Sequence, residues 1–117
     1  MTSVSISVLI VLGAGALLSV AGAVGAEFKV HNNLNSPITS VRVTGGEIAG
    51  FKKIRPGKSH VMTVSMSDGK CQAFVRLRTE SGNVYDGKAN VCDKSGIVVH
   101  RVANGVRFSA GSQVLLR

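Results

Sequence analysis

After Glu27 the chain alternates apolar and polar residues with a period of two, the pattern of half-buried strands; the 3.6-residue period of an amphipathic helix is absent. In EFKVHN, Phe28 and Val30 share one face, and Lys29 and His31 the other. ITSVRVT sets Val41 and Val43 against Ser40 and Arg42. SHVMTVSM places His60, Met62, Val64 and Met66 together. CQAFVRLRT sets Cys71, Ala73, Val75 and Leu77 against Gln72, Phe74, Arg76 and Arg78. VYDGKANVC, GIVVHRVA, VRFS and SQVLLR continue the extended pattern. EIAGFKKI is irregular and predicts a short edge strand.

Turn chemistry separates these runs. NNLNSP, Gly45-Gly46, Arg55-Pro56-Gly57, Ser67-Asp68-Gly69 and ESGN carry the residues that favour tight reversals. Asn104-Gly105 is the strongest two-residue hairpin signal in the chain. Gly87, inside a strand, predicts a β-bulge. About eight mostly antiparallel strands at this spacing predict an all-β fold, a single small sandwich or barrel.

Residues 1–26 differ from the rest. They hold no charged side chain, run apolar or small from Val4 to Val24, and end in AVGA before Glu27. Val24 and Ala26 stand where a signal peptidase prefers small residues. Residues 1–26 therefore read as a signal peptide and 27–117 as one β-sandwich domain, periplasmic or secreted, with no membrane contact once the leader is removed; a run of about 20 apolar residues is also long enough to span a bilayer if it is kept as an anchor. In an oxidising compartment the only two cysteines, Cys71 and Cys92, are expected to pair. Closing that loop is worth about 3 kcal/mol in a domain this small. If strands 71–79 and 84–92 fold back about Gly82, the bridge lies at the open end of the hairpin and fixes its register.

The formal net charge is +8, and all of it falls after residue 26. Lys52, Lys53, Arg55 and Lys58 crowd the segment KKIRPGK; Lys29, Arg42, Arg76, Arg78, Arg101 and Arg107 take polar positions of strands. These residues predict a cationic sheet face, and an acidic protein or anionic cell-envelope polymer as partner. Nucleic acid is not expected, because aromatic stacking residues are scarce and the compartment is wrong.

Chemistry at a site is harder to find. No nucleophile elbow, metal-spaced histidine pair or phosphate loop occurs, so no catalytic residue, metal or cofactor is expected. His60, Met62 and Met66 are soft ligands in principle. On a strand, however, the two methionines lie about 13 Å apart, too far to share one ion, so they read as a core stripe.

Two resemblances add to this reading. The order FKVHNNLNSPITSVRV, IRPGKS and C…VRLRTESGNVYDGKANVC resembles small exported two-cysteine bacterial β-sandwich proteins of unassigned activity. The string Ser81-Gly82-Asn83-Val84-Tyr85 resembles the loop of periplasmic C-type lysozyme inhibitors. That likeness implies that Ser81 addresses the two catalytic carboxylates of the enzyme and Tyr85 supports the loop. A +8 domain is poorly matched to a basic lysozyme. The leading expectation is therefore a non-catalytic binding or structural domain, with inhibition of a lysozyme or another hydrolase through residues 80–86 as the alternative.

Overall fold

The computed structural model describes residues 25–111. The leader reading over residues 1–24 and the closing SQVLLR strand over 112–117 lie outside the described residues. Eight strands occur in chain order: β1 (Ala26–Asn33), β2 (Ile38–Val43), β3 (Gly46–Ala49), β4 (Ser59–Met66), β5 (Gln72–Thr79), β6 (Val84–Asn90), β7 (Ile97–Val102) and β8 (Gly105–Ala110). They form two sheets, β3-β4-β1-β7-β8 and β2-β5-β6. The architecture is the expected all-β sandwich. All pairings are antiparallel except β1 with β7, which run parallel.

Alternation decides which side chains meet between the sheets. Phe28 and Val30 of β1, Met62 and Val64 of β4, and Ile97 and Val99 of β7 face Val41, Val43, Val75, Leu77 and Ala89 of the smaller sheet in one buried cluster. Burying each such side chain contributes roughly 1.5–3 kcal/mol relative to leaving it exposed. Met62 is buried and Met66 packs against the cluster, so the methionine stripe is core. The irregular EIAGFKKI segment supplies the short edge strand β3, as its sequence predicts.

The disulfide joins Cys71 to Cys92, with Cα atoms 5.2 Å apart. It lies at the open end of the β5–β6 hairpin, just beyond the last register pair Gln72–Asn90, as expected from the turn at Gly82.

Two turn expectations are corrected. Gly87 is no bulge, because the β5–β6 register runs through it unbroken, pairing it with Val75. Its missing side chain serves a different purpose. A Cβ there would sit 2.5 Å from the Phe108 ring, so Gly87 lets β8 of one sheet pack against β6 of the other. The irregularity falls instead in β2, between Ile38 and Ser40. The β7–β8 turn is also displaced by one residue. Ala103 and Asn104 form it, and Gly105 opens β8 with φ +142°. No described non-glycine residue takes positive φ, so Asn104 does not adopt the left-handed form that an Asn-Gly turn requires.

One buried polar residue organises a whole corner. Asn32, at the end of β1, is fully buried. Its Nδ2 donates to the carbonyls of Ser36 and Ile54, and its Oδ1 accepts from the Leu34 backbone N–H, each at 2.9 Å. Its backbone N–H donates to Lys58 and its carbonyl accepts from Gly57. Every polar atom of this residue is therefore partnered, which is the condition for burying an amide without a large penalty.

Candidate anion-binding face

The strand period that drives Val75 and Leu77 inward drives their neighbours outward. On the smaller sheet this exposes Arg42 from β2; Phe74, Arg76 and Arg78 from β5; and Val84, Asp86 and Lys88 from β6. Register then fixes the neighbours. Arg42 lies directly opposite Arg76, Arg76 opposite Asp86, and Phe74 opposite Lys88. Four cations and one carboxylate share this surface.

Arg76 grips Asp86 in a two-pronged pair. Nε donates to Oδ1 at 2.7 Å and Nη2 to Oδ2 at 3.1 Å. The hydrogen bond from Arg76 holds the Asp86 carboxyl below the usual carboxylate range, and the same bond raises the Arg76 guanidinium. Arg42 has no carboxylate partner among the described residues. Like charges directly opposed across strands are unfavourable, so the Arg42–Arg76 pair is a local cost that folding alone does not require.

Phe74 is the second unusual feature. Its side chain is 55% exposed, although phenylalanine normally seeks the interior. The Lys88 ammonium lies over the ring, 5.5 Å from its centroid. Two open depressions flank the ring. The larger, about 550 Å³, is lined by Arg42, Val43, Thr44, Phe74, Arg76 and Asp86. The other, about 390 Å³, is lined by Gln72, Ala73, Phe74 and Lys88.

The basic loop runs from β3 to β4 beside this sheet. Ile54 is buried, and its backbone exchanges two hydrogen bonds with Ile38 at the start of β2, at 2.9 and 3.0 Å. Asn32 holds Ile54, Gly57 and Lys58 from below. Lys52, Lys53, Arg55 and Lys58 remain exposed, and Lys53 donates to Glu80 at 3.2 Å. The loop thus stands near the end of β5 that carries Arg78. Asn32 was hidden within what the sequence shows only as a turn-rich link. Its signal, an Asn two residues before a leucine and four before a serine, is too common to single out.

The wider cationic face that the sequence predicts is divided. Lys29 and Arg107 lie on the outer face of the five-stranded sheet. Arg101 occupies an inward position beyond the core, paired with Val106. A residue's polar position within a strand gives its face but not its sheet. On the larger sheet His31 is hydrogen-bonded to Ser59 at 2.6 Å and His100 to Ser109 at 2.7 Å. A small depression of about 200 Å³ lies beside the first pair, lined by Lys29, His31, Ser59, Ser95, Ile97 and Val98 among others. Neither imidazole has a carboxylate partner among the described residues. His60 hydrogen-bonds the Gly50 carbonyl and sits edge-on to Phe51.

At the β5–β6 tip Ser81 and Gly82 are exposed, whereas Tyr85 turns inward and packs against the core. The Ser81 hydroxyl is hydrogen-bonded to that of Thr79 at 2.9 Å. No cluster of three or more His, Cys, Asp or Glu residues is placed to hold a metal among the described residues. No described helix is long and apolar enough to cross a membrane. No protein-family model, curated protein or solved structure matches this chain.

Proposed function

We propose that the chain is a non-catalytic binding domain, exported to the periplasm or beyond, that meets acidic partners through the outer face of β2-β5-β6 and the adjoining loop 51–58. The observation that carries this reading is Arg42 opposite Arg76, with Asp86 as the one carboxylate within strands β2, β5 and β6. An anionic partner converts that repulsion into shared attraction. The uncharged run before Glu27 and the disulfide support export.

The test is binding to an anionic polymer as a function of salt. Exposed charges are screened beyond about 8 Å at physiological ionic strength, so association should weaken steeply as salt rises toward about 0.5 M. Replacing Arg42, Arg76, Arg78 and Lys88 by Gln should remove it. Replacing Lys29 and Arg107 should not. Binding that ignores salt, or that is lost equally from both sets, defeats the reading.

A second reading, inhibition of a lysozyme or another hydrolase, is favoured by the exposed Ser81 at the tip of residues 80–86. It predicts that the purified domain slows bacterial lysis by a C-type lysozyme and that Ser81→Ala restores lysis.

A further inference from the structure

We infer that the two depressions flanking Phe74 are adjoining subsites for an acidic polysaccharide built of uronic acid units. This inference rests on the cationic face being the binding surface, and it names what that surface takes.

The larger depression states three requirements at once. Arg42 and Arg76 ask for an anion. Two N–H groups of Arg76 are committed to Asp86, and a guanidinium has five, so donors remain to receive a carboxylate. Asp86 asks for hydrogen-bond donors. Each of its oxygens accepts one bond from Arg76 and has capacity for a further one, and the residue lines the depression. Phe74 asks for an apolar surface to cover its exposed ring. A uronic acid meets all three, through its carboxylate, its hydroxyls and the C–H face of its pyranose ring. An acidic peptide brings carboxylates but no ring of hydroxyls to donate to Asp86. A polyphosphate brings charge without hydroxyl donors or an apolar face.

The second depression repeats the same chemistry. It shares the Phe74 ring and adds the Lys88 ammonium and the Gln72 amide. Arg42 and Lys88 stand on the two outer strands of the sheet, two residues apart in register. Strands are spaced by about 4.8 Å and residues rise about 3.4 Å, so their backbones are roughly 12 Å apart. Each depression therefore has its own cation, Arg42 in one and Lys88 in the other, with the Phe74 ring shared between them. A chain with one carboxylate on every ring serves both, and Phe74 stands where two consecutive rings would meet.

The experiment is titration of the folded, disulfide-bonded protein with galacturonic acid, its trimer, a neutral galactose trimer and polyglutamate, followed by calorimetry and by amide shifts in β2, β5 and β6. The trimer should bind more tightly than the monomer, and the neutral trimer should not bind. Phe74→Ala should weaken the trimer by about ten-fold, the loss of one good aromatic contact, and leave polyglutamate within about two-fold. Phe74 is exposed, so the variant should keep its fold, which its amide spectrum verifies. Equal affinity for monomer and trimer, or a Phe74→Ala effect that is absent or the same for polyglutamate, overturns the polysaccharide subsites while the cationic face stands. Salt-insensitive behaviour toward both anionic polymers overturns the face as well.

Discussion

On the outer face of the five-stranded sheet, Lys29 and Arg107 are matched by Glu27 and Glu47, and the remaining positions are mostly serine, threonine, valine and histidine. On the outer face of the three-stranded sheet, four cations surround Asp86 and an uncovered phenylalanine. Both faces are built by the same strand period and cover the same core, so folding alone does not explain the difference. Where only solubility is required, a sheet can balance its charges, and the larger sheet does so. The smaller sheet keeps two unfavourable features, opposed guanidiniums and an exposed ring, side by side. Features that cost stability and cluster in one place are explained most economically by a partner that relieves them together.

The comparison can be broken or sharpened by measurement. The largest effect is expected from the cysteines. Cys71→Ser with Cys92→Ser should cost about 3 kcal/mol, read by denaturant unfolding. Hydrogen exchange should quicken first in β5 and β6, which the bridge pins, and later in β1 and β4. Uniform quickening would show that the smaller sheet has no separate dependence on its staple. Next, Asn32→Ala should cost about 2 kcal/mol by stranding buried partners. It should also loosen loop 51–58, with faster exchange at Gly57 and Lys58, while leaving the amide shifts of the Phe74 region unchanged.

The smallest stability effects test the charge asymmetry directly. Arg42→Thr should raise stability by a few tenths of a kcal/mol, because it removes a like-charge pair. Lys29→Thr, opposite Val61, should not raise it. A destabilised Arg42→Thr would show that the pair is not a cost, and would remove the main support for a partner. Acid gives the last contrast. Asp86 and Asp93 are held below their ordinary range by hydrogen bonds from Arg76 and Ser95 respectively. Their contribution is complete above the usual carboxylate range and fades as pH falls through the lowered values. Acid should therefore relax β6 and the loop after it before the larger sheet. The order of loss of amide protection below pH 4 checks this.

Much of this was legible before any coordinates. The period of two located seven of the eight strands, and the irregularity of EIAGFKKI correctly reduced β3 to an edge. The two cysteines and Gly82 together set the β5–β6 hairpin. Apart from the one-residue displacement of the β7–β8 turn, the failures share one cause. Gly87 reads as a bulge because sequence shows its missing side chain but not the Phe108 ring, carried by a strand of the other sheet, that fills the space. Arg42 and Arg76 are both visible as polar strand positions, but their opposition depends on register between segments separated by two other strands. Asn32 looks like turn punctuation because Ile54, Gly57 and Lys58, three of its partners, lie in a different loop. Local pattern gives face and turn; cross-strand neighbours come only from topology.

The parallel pairing of β1 with β7 has a kinetic consequence. It sets residues 30–33 beside residues 97–100, so β1 waits for β7 before its second edge is closed. Until then a nascent chain carries Phe28 and Val30 on a half-finished sheet. Contacts this remote in sequence slow the search for the native state. Synthesis of β7, rather than closure of the early hairpins, should therefore set when this domain becomes resistant to proteolysis.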